Sequence, residues 1–286
     1  MGGVLGGGTL LAGSTKAWCE PAVLKSSQPK PTPTQSSKLL AEAVGTAIIV
    51  QGGCGVVCAL KFAGSNLGSF GISAVWGASV CLAVYATRHI SGAHLNPAVT
   101  AALVACDKFP AEEAPLYVAA QCAGATIAGA ANYLIFAAGI AASEARDKIV
   151  RSTPRSTATF AGAFGMVPNS ALLGPVGALA AEVWMTAVLA FLIFAITDDK
   201  GTVPPDAAPA LIGASVMTLV SVFGPVTGCG MNPARDLGPR LVTALAGWGG
   251  AAATSAWIYT LGPVAGAIIG GKFYCLVYAE QAEEKA

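Results

Sequence analysis

The chain has 286 residues, of which 54% are hydrophobic and 11% are charged, and its formal net charge is +1. Soluble domains usually carry about 25% charged residues, so this composition excludes an ordinary soluble protein. The near-neutral charge and the lack of a basic motif give no indication of a nucleic-acid partner.

The first 38 residues differ from the rest of the chain. They open on a glycine-rich stretch and close on the polar, proline-rich run SSQPKPTPTQSSK. A run of this composition has no helical period, so residues 1–38 are expected to form a disordered N-terminal tail. The tail carries more lysine than acid, which fits either a cytosolic tail, the interpretation we favour, or an organelle transit peptide.

Six long apolar segments follow the tail. Each is long enough to cross the apolar core of a bilayer as a helix. Residues 277–286 then form a short C-terminal tail. An even number of spans places both termini on one side, and the lysines of the N-terminal tail favour the cytosol. The sequence does not indicate whether the host membrane is the plasma membrane or an organelle membrane. The expected spans are residues 39–62, 69–88, 113–138, 171–196, 208–224 and 251–276.

Two shorter apolar segments, residues 96–106 and 232–246, each begin with Asn-Pro-Ala. The first would be roughly 16 Å long as a helix, which is about half of a bilayer core. An apolar segment too short to span indicates a re-entrant half-helix. The predicted fold class is therefore an all-α membrane protein with six transmembrane helices and two re-entrant half-helices.

The two halves of the chain repeat each other. The stretch SGAHLNPAVT resembles TGCGMNPARD, and each is preceded by an acid within an apolar span, Glu42 and Glu182. Each half, about 39–138 and 171–276 of a channel domain at 39–276, has three spans, so the second half should be inverted relative to the first. Inverted repeats bring interrupted segments together at the midplane, where a solute path forms.

Asn-Pro-Ala is a favourable helix start. Asn is a preferred N-cap, and Pro is preferred at the first helical position. One such motif alone favours an ordinary helix start. Two in matching positions of inverted halves predict that two helix N-termini meet, where their partial positive charges oppose cations and protons. The asparagine amides would then donate to a passing oxygen. The motif residues are Asn96, Pro97, Ala98, Asn232, Pro233 and Ala234.

The backbone before each motif is expected to be irregular and to line the path with carbonyl oxygens. Irregular backbone at membrane depth is tolerated where it lines a wet cavity. One member, His94, could be a pH switch, but a fixed hydrogen-bonding role near Asn96 is favoured. The expected carbonyl residues are Gly92, Ala93, His94, Gly228 and Gly230.

Residues 39–276, with SGAHLNPAVT and GMNPARDLGPR, resemble the major intrinsic proteins, the aquaporin and aquaglyceroporin family. The resemblance implies a lipid-embedded homotetramer with one pore per protomer, conducting water and small neutral solutes such as glycerol. No phosphate-binding loop, catalytic constellation or metal-ligand cluster stands out in the sequence, so neither an enzyme nor a cofactor is expected.

The resemblance also implies a selectivity constriction. Trp76 is similar to the glycerol-facilitator and plant nodulin-26-like branches, whereas Cys229 is similar to many water channels. Val220 stands where strict water channels usually have His. Asp236 and Arg240 resemble the glycerol branch, as does Phe136, while Tyr259 and Thr260 depart from its Pro-Leu pair. The pattern favours an aquaglyceroporin, and the implied constriction consists of Trp76, Val220, Cys229 and Arg235.

Four further residues are expected to support the pore. Glu42 and Glu182 are intramembrane acids, which favours a functional role. We expect them to accept backbone N–H groups of the re-entrant loops, although a proton relay is the alternative. Asp236 and Arg240 should pair and brace the second half-helix.

Several functions remain open beside the glycerol channel. They are a water-dominant channel, a channel for neutral metalloid acids, urea, ammonia or hydrogen peroxide, a proton-coupled transporter, and a junction protein without flux.

Overall fold

The computed structural model describes residue 2 and residues 32–283, with side chains as far as Tyr278. Most of the expected N-terminal tail therefore lies outside the described residues. The described part is helical and contains no β-strand. Its helices are α1 (Gln35–Phe62), α2 (Gly68–Ser91), α3 (Pro97–Ala105), α4 (Ala114–Ile135), α5 (Ala137–Asp147), α6 (Thr157–Phe160), α7 (Pro175–Thr197), α8 (Ala208–Thr227), α9 (Pro233–Thr243) and α10 (Ala256–Glu283).

Six of these helices are long and apolar enough to cross a membrane: α1, α2, α4, α7, α8 and α10. The expected six spans are thus confirmed in number and order. Helices α3 and α9 have only 9 and 11 residues. At about 1.5 Å per residue, they cover roughly half of a bilayer core.

Several boundaries differ from the expectation, among them the starts of α7 at Pro175 rather than 171 and of α10 at Ala256 rather than 251. Helix α1 begins at Gln35, inside the expected tail, because the Thr34 hydroxyl caps it by accepting the Ser37 N–H at 3.2 Å. Helix α10 continues to Glu283, through most of the expected C-terminal tail. The charged run at 143–155, which lies between the third and fourth expected spans, is helical as far as Asp147. Helix α5 as a whole, AAGIAASEARD, is rich in alanine and other good helix formers, which accounts for this extension.

The long helices pack in pairs through close backbone approaches. Helix α2 crosses α8 where Gly77 faces Gly213. A Cβ on Gly77 would lie 2.6 Å from the Gly213 carbonyl oxygen, and a Cβ on Gly213 would lie 2.5 Å from the Gly77 carbonyl oxygen. A Cβ on Gly266 of α10 would lie 2.2 Å from the carbonyl oxygen of Val183 on α7. Small residues allow such approaches, and packing of this kind drives helix association in lipid.

Candidate functional site

The two Asn-Pro-Ala motifs meet through reciprocal hydrogen bonds. The Asn96 side-chain oxygen caps α3 by accepting the Ala98 N–H at 2.8 Å, and its Nδ2 donates to the Met231 carbonyl at 2.8 Å. In the other half, Asn232 Nδ2 donates to the Leu95 carbonyl at 2.8 Å. The N-termini of α3 and α9 therefore face each other. Each amide has two N–H groups, so one remains for a solute oxygen.

Asn232 caps α9 with two contacts. Its Oδ1 accepts the N–H groups of Ala234 at 3.0 Å and Arg235 at 3.2 Å. Pro233 occupies the first helical position, as Pro97 does in α3. The capping oxygen is thereby fixed, which also fixes the orientation of the Nδ2 group on the same amide.

The approach to each motif follows the same backbone path. Gly92 and Gly228 end α2 and α8 in the left-handed region, with φ of 85° and 86°. Positive φ then recurs at four non-glycine residues, where it is uncommon. Such conformations persist only where surrounding contacts hold them. The four residues and their φ values are Ala93 (54°), Leu95 (52°), Cys229 (56°) and Met231 (50°).

The fully buried carboxylate of Glu42 holds the first approach. Its Oε1 accepts the Ser91 hydroxyl at 2.7 Å and the His94 N–H at 3.0 Å. Its Oε2 accepts the Leu95 N–H and the Gln121 Nε2, both at 2.7 Å. Each carboxylate oxygen therefore has two donors.

Glu182 has the same position in the second half. It accepts the Thr227 hydroxyl at 2.7 Å and the N–H groups of Gly230 at 2.9 Å and Met231 at 3.0 Å. Like Glu42, it is fully buried and is absent from the lining of the cavities described below. Both acids thus contact loop donors rather than open space.

A series of cavities runs past the two motifs. The central cavity, of about 80 Å³, is lined by both asparagines together with Ala93, His94 and Gly230. It shares Ala93 and His94 with a cavity of about 600 Å³ that also reaches Gly92. It shares Trp76, Val220 and Arg235 with a third cavity, of about 280 Å³, that reaches Gly228. One water needs about 10–15 Å³ measured in this way, so all three spaces accommodate water.

The structure brings together the four residues of the implied constriction. Trp76, Val220, Cys229 and Arg235 all line the central cavity. The guanidinium carbon of Arg235 lies 4.2 Å from the Trp76 ring centroid, which is within cation–π distance. Arg235 is only 3% exposed, and its Nη1 has no hydrogen-bond partner among the described residues. A buried donor without a partner favours a solute that supplies an oxygen.

Asp236 and Arg240 form a buried ion pair behind α9, with Nε 2.5 Å from Oδ2. Asp236 also accepts the Met166 N–H at 2.7 Å, and Arg240 donates to the carbonyls of Met166, Ala252 and Thr254. The pair therefore links α9 to the segment before α7 and to the segment before α10.

The rim of the largest cavity carries charge. Arg88, Lys108 and Asp198 line it. The Tyr274 hydroxyl donates to Asp198 and, as the largest cause, lowers the pKa of that carboxyl. His94 lies deeper, with its Nδ1 3.2 Å from the Thr100 hydroxyl oxygen and its ring against Phe109.

Two tyrosines that support the site were not identified from the sequence as doing so. The Tyr117 hydroxyl donates to the Ser91 carbonyl at 3.0 Å, and the Tyr259 hydroxyl donates to the Thr227 carbonyl. The two occupy matching places in α4 and α10. The two tyrosines are separated in the sequence by nearly the same number of residues as Glu42 and Glu182, and this repeat spacing could have identified them.

The sequence and fold match known proteins over most of the chain. Residues 31–274 match the family model described as Major intrinsic protein. The chain is 41% identical over 257 residues to a glycerol uptake facilitator protein of Pseudomonas aeruginosa, covering 87% of this chain and 91% of that one. It is 39% identical over 245 residues to a propanediol uptake facilitator of Citrobacter freundii, covering 85% and 90%.

Among solved structures, the aquaglyceroporin from Plasmodium falciparum matches with a TM-score of 0.76 and 22% identity, covering 88% of this chain and all of that one. The match confirms the predicted fold of six spanning helices and two half-helices in an inverted repeat. Together with the family match, it makes the protein an integral, multi-pass membrane protein. The chain belongs to the major intrinsic protein family.

Proposed function

We propose that the chain forms a passive pore for glycerol, similar small uncharged solutes and water. The observation that carries this proposal is the constriction: the central cavity is lined by the apolar ring of Trp76 and by buried Arg235, whose Nη1 has no hydrogen-bond partner among the described residues. A polyol has carbon on one side and hydroxyls on the other, so it matches both surfaces. The relatives named as glycerol and propanediol uptake facilitators support the same solute class.

The small residues at the constriction favour a solute larger than water. Val220 offers no hydrogen bond, so it would not favour water over a carbon-bearing solute. Cys229 takes less space than an aromatic ring and leaves room beside Trp76. Backbone carbonyls at Gly92, Ala93, His94, Gly228 and Gly230 would then accept the solute hydroxyls along the path.

The junction of the two half-helices would exclude protons and ions. Each helix N-terminus carries roughly half a unit of positive charge, and Arg235 adds a full charge nearby. A water that accepts from both Asn96 and Asn232 directs its own protons away from both, which interrupts a chain of proton transfer. This is the role we assign to the paired motifs.

Glu42 and Glu182 serve as supports of the re-entrant loops in this proposal. Their oxygens are engaged by loop donors and lie off the cavities. The arrangement argues against the proton relay that a coupled transporter would need. Asp236 and Arg240 likewise have a supporting role, because their ion pair braces α9.

The proposal extends to the assembly of the protein in the membrane. Large apolar side chains are exposed on the outer faces of the spans, among them Leu134 (72%), Val176 (77%) and Trp184 (64%). Lipid and neighbouring copies would cover these faces, and we assign a homotetramer with one pore in each channel domain, residues 39–276. Six spans and a lysine-bearing N-terminal tail support cytosolic termini.

Flux through purified protein in vesicles tests the proposal. We expect rapid re-swelling in a glycerol gradient, without a proton gradient and with a low activation energy. Fast water flux with glycerol excluded would instead identify a water-dominant channel. Dependence on a proton gradient would support a transporter.

A further inference from the structure

Behind the constriction, the backbone of α1 contacts the face of the Trp76 ring. A Cβ added to Gly53 would lie 2.2 Å from Cε3, 2.2 Å from Cζ3 and 2.4 Å from Cδ2 of that ring. These three atoms are consecutive in the ring and nearly equidistant from the added carbon. The added carbon would therefore lie over the ring face rather than at its edge. Only a residue without a side chain permits this contact.

The same ring forms a wall of the pore. Trp76 lines the central cavity, and the guanidinium carbon of Arg235 lies 4.2 Å from its centroid. Gly53 is buried and does not line that cavity. Its influence on the solute path therefore passes through Trp76.

We propose that Gly53 is a positioning residue that sets the solute size limit of the pore by fixing how far Trp76 retracts toward α1. Non-bonded carbons pack best at about 3.5–4.0 Å, so a methyl group at Gly53 would displace the ring by about 1 Å or more. The cavity beside the ring measures only about 80 Å³. A displacement of this size therefore removes room that a carbon-bearing solute needs and a water does not. This inference rests on the proposed function.

The neighbouring glycine of α1 offers a matched control. A Cβ on Gly52 would lie 2.1 Å from the Ser79 hydroxyl oxygen and 3.2 Å from Ser79 Cβ. Ser79 is on the same helix as Trp76 and does not line the described cavities. Gly52→Ala therefore crowds the same pair of helices, but against a small group that rotates and lies off the path.

The test compares Gly53→Ala with Gly52→Ala in vesicles that contain equal amounts of protein. Permeability is measured for water, ethylene glycol, glycerol and erythritol. One methyl group in a fitted site changes discrimination by about tenfold or more. We expect Gly53→Ala to lower the glycerol-to-water permeability ratio to this extent, and to lower the ratio for erythritol further. Gly52→Ala should keep the wild-type ratios.

A second substitution that restores selectivity distinguishes a positioning role of Gly53 from a general loss of structure. Replacing Trp76 with the smaller phenylalanine in the Gly53→Ala background relieves the conflict with α1, so the double variant should assemble and regain most of the glycerol-to-water ratio. The inference would be overturned if Gly53→Ala kept the wild-type permeability ratios. It would also be overturned if Gly53→Ala lowered water flux and glycerol flux equally.

A different experimental result would contradict the proposed function. If the wild-type protein excludes glycerol, the polyol proposal is contradicted. The inference about Gly53 is then decided by ethylene glycol, the smallest polyol measured, whose permeability relative to water Gly53→Ala should lower and Gly52→Ala should not.

Discussion

At the scale of single residues, a few side chains face the solute and the rest hold them in place. The buried guanidinium of Arg235 lies beside the apolar ring of Trp76, and its Nη1 has no hydrogen-bond partner in the part of the chain that the structure describes. Cys229 adds a thiol to the same cavity. Two of these residues lend themselves to direct tests, because their chemistry differs from that of the other lining residues.

Cys229 should make the pore sensitive to mercurials. A mercurial bound to its thiol would fill a cavity of about 80 Å³, so we expect it to block flux. Cys229→Ser should remove the block and keep the flux. The measurement is vesicle swelling before and after treatment, with Cys275→Ser as the control that should stay sensitive. Persistent block in Cys229→Ser would assign the effect to another cysteine.

Arg235→Val should raise proton and cation leakage. The substitution removes a full positive charge from the constriction and leaves an apolar wall, while the helix N-termini remain. We expect water flux to persist and leakage to increase, measured with a pH-sensitive dye and a potassium gradient. Arg235→Lys keeps the charge and serves as the control. Leakage that stays at the wild-type level in Arg235→Val would show that the N-termini suffice.

At the scale of helices and loops, the structure depends on close helix contacts and on two buried acids. Each acid is fully buried and accepts hydrogen bonds from the donors of one re-entrant loop. The connections between spans are therefore as important to the pore as the spans themselves.

Removing the Glu182 carboxylate should destabilise the second re-entrant loop. Glu182→Ala leaves the Thr227 hydroxyl and the N–H groups of Gly230 and Met231 without an acceptor, at a cost of about 1–3 kcal/mol for each buried donor. We expect a lower thermal midpoint in detergent and a large loss of flux. Glu182→Gln keeps one acceptor oxygen and should fall between Glu182→Ala and wild type. A midpoint for Glu182→Ala equal to that of wild type would contradict the supporting role.

The contact between α7 and α10 should not tolerate a larger side chain. Gly266→Val would place atoms against the Val183 carbonyl, whose oxygen lies 2.2 Å from an added Cβ. Overpacking of this kind typically costs about 1–3 kcal/mol. We expect a lower thermal midpoint, whereas Ala265→Val, one position away on an exposed site, should keep the wild-type midpoint. Equal midpoints in the two variants would argue against this contact.

At the scale of the whole molecule, the sequence predicted the architecture well because membrane helices and repeats leave clear patterns. The six spans, the half-length segments and the repeated acids were all readable from apolar length and spacing. The helix ends were predicted less well, since the cap at Thr34 and the helical propensity of α5 act locally and do not depend on apolar length.

The geometry of the site was less accessible from the sequence. The motifs indicated helix starts, but not that each asparagine donates to the backbone of the other half. Positive φ at Ala93 and Cys229 was not predicted either, because neither residue type favours it. The asparagine bonds join segments more than a hundred residues apart in the sequence, whereas the loop backbone is held by a buried acid about fifty residues away in the same half.

The central claim is that an uncharged polyol passes the constriction formed by Trp76, Val220, Cys229 and Arg235. The most direct test is the swelling rate of protein-containing vesicles in a glycerol gradient, compared with empty vesicles and with vesicles treated with a mercurial. We expect swelling far above that of empty vesicles, blocked by the mercurial and unaffected by collapse of a proton gradient. Swelling equal to that of empty vesicles, with water flux intact, would contradict the claim.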